Sequence, residues 1–328
     1  MANLHLFTGD AAAATIRSAH NVSVGESLVQ HDVISCGPVR AFGSRDEWIR
    51  TRDDFWEEVC GGPSLEEFPA DLVIDAERLG DADRLILWVG AGLSDRLLLP
   101  SVLALADVIP LVLPPVEVVE ITTHRSLSAP VLGWGMLRPA DVGQPLGREV
   151  TAGAHMRARH VWAGLTASSP TSYLHALDTL DEDPPLLAAM ATLIERYPDT
   201  VRGLGHWDTA LLSCVPDAGT DAFTIIGGAI GANHRHLDPV GDVYLFWRLR
   251  RMAAESLREP LLELSGDLST MRHCRVAPTA FGRQVREGAA SHVEMNGIDD
   301  WIGGVHLRAA SGSPWYRRTG ELIPRTAS

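Results

Sequence analysis

Thr8-Gly9-Asp10 stands where a short apolar run, Leu4 to Thr8, gives way to a helical stretch, Ala11 to Ala19. A strand-to-helix turn gathers backbone N–H groups and the positive end of a helix dipole, which suits an anion. Asp10 would itself repel a phosphate, so it suits a ribose hydroxyl, a metal, a substrate amine or a plain helix cap. Asp32 and the Ser35-Cys36-Gly37-Pro38 turn close a second strand-like run, Ser27 to Ile34. If the two strands are neighbours, Asp32 and Gly37 fall beside Gly9 and Asp10. Cys36 would be a reactive thiol only beside a base or helix end that lowers its pKa, and a structural turn with a passive Cys is expected.

Gly90-Ala91-Gly92 follows a fully apolar run and opens a helical one. It matches two of the three glycines of the dinucleotide-binding fingerprint, but the third position is Asp95, whose carboxylate would oppose a pyrophosphate. A tight turn admitting some other ligand fits better. His234-Arg235-His236, with Asp238 and Asp242, holds metal-ligand types. Two His one residue apart point to opposite faces of a strand, though both can reach a metal from a loop, and no third ligand stands at a fixed spacing, so no metal site is assigned. Near the C-terminus, Asn296-Gly297-Ile298-Asp299-Asp300-Trp301-Ile302-Gly303-Gly304-Val305-His306-Leu307 combines polar groups, glycines and a large aromatic. It suits a polar pocket wall and equally a hairpin anchored by Trp301.

Composition excludes several chemistries. All 28 basic residues are Arg, so a Schiff-base Lys, a Gly-Lys-Ser/Thr phosphate loop and a kinase Lys are ruled out. Neither His-Glu-x-x-His nor Gly-x-Ser-x-Gly occurs. No motif names a cofactor. The 42 acidic residues leave a net charge of −14, and eleven of them fall between Asp53 and Asp83 against a single Arg78. Only the last quarter, residues 241–328, is basic, with 12 Arg against 10 acidic residues. A polyanion would be repelled by most of such a chain.

The elements that must position these residues follow from pattern. In the first third, short apolar runs alternate with helical stripes: Asp46 to Cys60 with Trp48, Phe55 and Trp56, then Leu85 to Val89, Ser94 to Ala106 and Ile109 to Val119. That rhythm predicts a mostly parallel sheet. A Gly- and Pro-rich stretch, Gly133 to Ala152, reads as a domain boundary. Helical segments follow at His155–Leu165, Ser172–Leu180, Leu186–Arg196, Trp207–Cys214 and Ala222–Gly231. Asp242 to Glu255 is then a helix with Arg248, Arg250 and Arg251, followed by strand-like Leu261–Leu264 and Arg272–Ala277 and by a Thr279-capped helix, the order of a winged helix. Gly304–Leu307 and Pro314–Arg317 are expected to pair around Ser311-Gly312-Ser313. No apolar run is long enough to span a membrane, no secretory signal is recognisable at Met1–Thr8, and four dispersed Cys suit a reducing cytoplasm.

Several stretches resemble a known family. Leu4-to-Arg17 (LHLFTGDAAAATIR), Asp32-to-Val39 (DVISCGPV), Ile49-to-Trp56 (IRTRDDFW), Gly241-to-Leu249 (GDVYLFWRL) and above all Asn296-to-Leu307 (NGIDDWIGGVHL) are similar to the bacterial domain of unknown function 1835 family, joined to a C-terminal domain of unknown function 3658. The resemblance touches both ends and the middle of the chain. It implies a two-part cytosolic protein and supplies no reaction. Relatives in that family carry an acidic-His-Asp run after the third strand, and of Val89-Gly90-Ala91-Gly92-Leu93-Ser94-Asp95 only Leu93 and Asp95 fit it.

The expected fold is α/β, with residues 1–140 as a Rossmann-like ligand-binding domain and 141–328 as a mainly helical, winged-helix-like domain ending in a hairpin. The leading expectation is a small polar or phosphorylated ligand at the strand ends, held by Thr8, Gly9, Gly37, Gly90, Gly92 and Asp95 with Asn296, Asp299 and Trp301. A second is a hydrolase or transferase using Asp10 and Asp32 as acid, base or metal ligands with His306 from the tail. A third is a transcription regulator whose Arg248, Arg250 and Arg251 touch phosphates. Nucleic acid is the less favoured partner, and no membrane partner is expected.

Overall fold

The strand-like runs at Leu4 and Leu85 carry apolar side chains on both faces, and such strands need cover on both sides. In the computed structural model, which describes residues 3–61, 73 and 75–325, they form the middle of a five-stranded sheet. The strands are β1 (Asn3–Thr8), β2 (Ser27–Gln30), β4 (Arg84–Val89), β5 (Val116–Glu120) and β6 (Arg148–Glu149), with a two-residue β3 (Gly37–Pro38) outside this sheet. The sheet order is β2-β1-β4-β5-β6. The first four run parallel and β6 closes the edge antiparallel. Register sets Thr8 opposite Gln30 and Val89 opposite Glu120, so the carboxyl ends of these strands share one edge. Because β2 and β4 flank β1 on opposite sides, the strand order reverses between β1 and β4, the kind of place where open parallel sheets leave a crevice.

The chain divides into two units. The first comprises Met1–Thr192, Leu237–Pro239 and Gly303–Val305; the second comprises Leu193–His236, Val240–Ile302 and His306–Ser328. The helices of the first unit are α1 (Asp10–His20), α2 (Arg45–Cys60), α3 (Glu77–Asp81), α4 (Leu93–Arg96), α5 (Leu98–Val108), α6 (Ala152–Thr166), α7 (Pro170–Leu177) and α8 (Pro184–Ala191). Ser44 caps α2 by accepting the Glu47 amide, and Gly61 in left-handed conformation ends it. Phe7, Ile16, Trp88, Val119, Val131, Trp134, Leu137 and Val142 share one buried cluster.

That cluster moves the division away from the expected position near residue 140. Val131, Trp134, Leu137 and Val142 fill the core over α1, so the Gly- and Pro-rich stretch is packed chain and not a linker. α6 continues the same unit, its Trp162 stacking on Trp48 with centroids 5.1 Å apart. Two further local differences have physical causes. The run expected as a strand from Ile109 pairs only from Val116, after Pro110, Pro114 and Pro115, which lack the N–H a ladder needs. The middle of the acidic stretch, residues 62–72 and 74, lies outside the described residues.

The second unit orders α9 (His206–Cys214), β7 (Thr220–Asp221), α10 (Ala222–Ala232), α11 (Asp242–Met252), β8 (Leu262–Gly266), β9 (Cys274–Pro278), α12 (Ala280–Glu287) and α13 (His292–Asn296). β7, β9 and β8 form an antiparallel sheet in that order. The expected C-terminal hairpin is corrected. β10 (Ile298–Gly303) neighbours β11 (Val305–Ala309), whereas β12 (Trp315–Arg318) pairs with β13 (Glu321–Pro324). Thr319 and Gly320 both have positive φ, 52° and 83°, the conformation of a tight two-residue turn, so β12 turns back on β13 and not on β11. No helix among the described residues is long and apolar enough to cross a membrane.

Candidate functional site

At the end of β1, the Gly9 amide donates to Gln30 O of β2 at 3.1 Å, tying the first two strand ends together. Asp10 begins α1, and its exposed carboxylate lies 3.0 Å from His31 Nε2. Asp32 is buried and fully engaged. It accepts Arg52 Nε at 2.9 Å, Arg52 Nη2 at 2.6 Å and Trp56 Nε1 at 2.8 Å. Arg52, itself 1% exposed, also donates to the carbonyls of Cys36 and Pro38, so the turn containing Gly37 is wrapped around this guanidinium. Asp32 is therefore the counter-ion of a buried Arg. Arg52 was detectable as a charge on the apolar stripe of Trp48, Phe55, Trp56 and Val59, which a buried cation occupies only with a partner.

The Gly90-Ala91-Gly92 turn is occupied by the chain itself. The Ala91 and Gly92 amides donate to Val131 O at 2.7 Å and Leu132 O at 2.8 Å, and the Gly90 amide donates to Asp95 Oδ2 at 2.6 Å. A Cβ on Gly90 would stand 2.4 Å from Leu132 O, which is the steric reason for glycine here. These three amides are thus engaged within the chain.

Asp95 is the centre of that edge. It also accepts the Thr8 hydroxyl, so one carboxylate joins the ends of β1 and β4. Burial pushes its pKa up to about 7, against the downward pull of Thr8, the Gly90 amide and Arg96. Asp95, Val89 and Glu120 line a cleft of about 550 Å3 together with Arg96, Arg148 and Arg157. Arg96 and Arg148 both bond Glu120, at 2.8 and 2.6 Å, and Arg157 bonds Glu182 at 3.1 Å. The Nε atoms of Arg96 and Arg157 are buried and have no acceptor among the described residues. A buried N–H left without an acceptor costs about 1–3 kcal/mol, more when charged.

The remaining expected residues lie in the second unit and are tied to neighbours there. Asn296 bonds the Glu259 backbone in both directions, each at 2.9 Å. His306 bonds Asp299 at 2.6 Å and stacks on Trp301, with centroids 4.2 Å apart. Arg248 bonds Asp208, with Nε at 2.8 Å, and Asp300 at 2.5 Å. Burial works against ionisation of Asp300, yet Arg248 and Arg251 hold its carboxyl below the ordinary range. Arg251 donates to Asp299 O, and the Arg250 guanidinium lies over Phe246 at 5.2 Å. The three expected catalytic groups do not form one cluster by side-chain bonding: Asp10 meets His31, Asp32 meets Arg52 and His306 meets Asp299.

Of the metal-ligand types, Asp238 accepts the Ser35 hydroxyl at 3.2 Å and Asp242 accepts the Val243 amide at 2.9 Å. His236 instead meets Glu195 and His206, an association that no short spacing in the sequence announces. No protein-family model matches the chain, and no curated protein matches it.

Proposed function

We propose that the first unit binds a small polar or phosphorylated molecule in the cleft at the carboxyl ends of β4 and β5. The observation that carries this reading is a cleft of about 550 Å3 at these strand ends, lined by Arg96, Arg148 and Arg157 together with Asp95, Glu120 and Glu182. Guanidinium groups pair readily with phosphate or carboxylate oxygens. Glu120, Glu182 and Asp95 supply acceptors for hydroxyl or amino groups on the same ligand. Asp95, with a pKa near neutrality, is suited to donate or accept a proton there.

For the second unit we propose a winged-helix-like scaffold. The succession α9-β7-α10-α11-β8-β9 and the sheet order β7-β9-β8 support it. The pairing of Arg248 with two carboxylates favours a packing role over phosphate contact. The resemblance to the domain of unknown function 1835 family agrees with such a two-part chain, and the free state of all four Cys agrees with a reducing compartment.

Thermal-shift screening with nucleotides, sugar phosphates and inorganic phosphate tests the ligand. A compound present at a hundred times its Kd stabilises by about 2.7 kcal/mol. That gain is expected to disappear in Arg157→Gln with the protein still folded. If none of these compounds raises the melting temperature at millimolar concentration, or if Arg157→Gln responds as the wild type does, the reading is wrong.

A further inference from the structure

Glu195, His206 and His236 come from three turns of the second unit: a short helical turn ending at Arg196, the first residue of α9, and the loop that follows α10. Glu195 Oε2 stands 3.2 Å from His206 Nδ1 and 3.2 Å from His236 Nε2. The two imidazoles stack with centroids 3.9 Å apart and planes inclined by 10°. Trp207 packs edge-on against both rings, at 5.2 and 5.8 Å. The in-plane lone pairs of two near-parallel rings do not meet at one point, so sharing an ion requires one imidazole to turn out of the stack. One donor atom from each of the three residues lies within 4.8 Å of the others.

Nitrogen and carboxylate lone pairs that face one another need positive charge between them, either protons on the rings or a cation. A tetrahedral ion with ligand bonds of about 2.0–2.1 Å spaces its ligand atoms by roughly 3.3 Å, which both measured edges approach. Two imidazoles and one carboxylate suit a zinc-class ion, whereas calcium and magnesium take oxygen ligands. His206 also lines a cleft of about 580 Å3 with Thr209, Arg202 and Arg317.

We propose that Glu195, His206 and His236 hold a divalent transition-metal ion of the zinc class. This site lies in the second unit and does not depend on the ligand reading of the first.

Metal-free, full-length protein is titrated with Zn2+ by calorimetry and with Co2+ by visible absorption. One equivalent of Co2+ is expected to give the strong visible bands of a four- or five-coordinate ion, lost on adding one equivalent of Zn2+. His236→Gln and Glu195→Gln should each weaken binding at least tenfold, with circular dichroism confirming that they fold. His234→Ala should bind as the wild type does, because His234 is exposed and its ring faces Gly231 O. Failure of the folded wild type to take up one saturable equivalent overturns the proposal, a measurement that needs no variant. So does undiminished binding in whichever of the two Gln variants folds.

Discussion

The Thr8 hydroxyl, at the end of β1, is bonded to the carboxylate of Asp95, just beyond β4, across the position where the strand order of the sheet reverses. One buried acid thereby fixes two neighbouring strand ends and forms part of the cleft wall. Burial raises its pKa to about 7, above the value of about 4 for an unfolded Asp, so the native state retains a proton that the unfolded chain releases. The stability this contributes is fully present below about pH 4 and is lost as pH rises through about 7. Asp95→Asn, which keeps the shape and cannot ionise, should flatten the pH dependence of urea midpoints between pH 4 and 8 relative to the wild type. Parallel curves for the two proteins would contradict this account.

Arg52 and Asp32 form a buried pair at 2.6 Å, with the guanidinium also holding the carbonyls of Cys36 and Pro38. Removing one partner leaves a buried charge, which typically costs about 3–5 kcal/mol. Arg52→Ala should lose about that much in denaturant unfolding. Arg52→Lys should rescue only part of it, because an ammonium group cannot reproduce the planar fork. A loss below 1 kcal/mol in Arg52→Ala would count against the pair as the organiser of this turn.

Gly304 approaches the last turn of α6 so closely that a Cβ would stand 2.2 Å from Thr166 O, and its amide donates to Leu165 O at 2.7 Å. Gly304→Ala should therefore destabilise by roughly 1–3 kcal/mol through forced backbone movement. Gly241→Ala is the control, since a Cβ there meets nothing within 4 Å. Equal melting temperatures for Gly304→Ala and the wild type would remove the packing explanation for the glycine.

Arg248 bonds Asp208 and Asp300 in the second unit. Arg248→Ala should lower stability by about 3–5 kcal/mol through the two stranded carboxylates. Salt-dependent duplex binding by the wild type, lost in a folded Arg250→Ala, Arg251→Ala double variant, would instead revive the nucleic-acid reading.

The sequence by itself determined the parallel strands, most helices of both units and the carboxyl-end location of Thr8 and Asp95, because apolar period and Gly or Pro punctuation are local consequences of backbone geometry. The misfit of Asp95 in a glycine pattern was visible there, as was a lone Arg52 on an apolar stripe. Tertiary structure alone decided which partners they meet. Asp95 joins Thr8, 87 positions away, and Gly90 is crowded by Leu132. The Gly133–Ala152 stretch enters the core, and His236 finds Glu195, 41 positions away. Periodicity specifies which face of an element is buried and carries no record of which distant side chain will cover it, since long-range contacts depend on the packing of the whole unit.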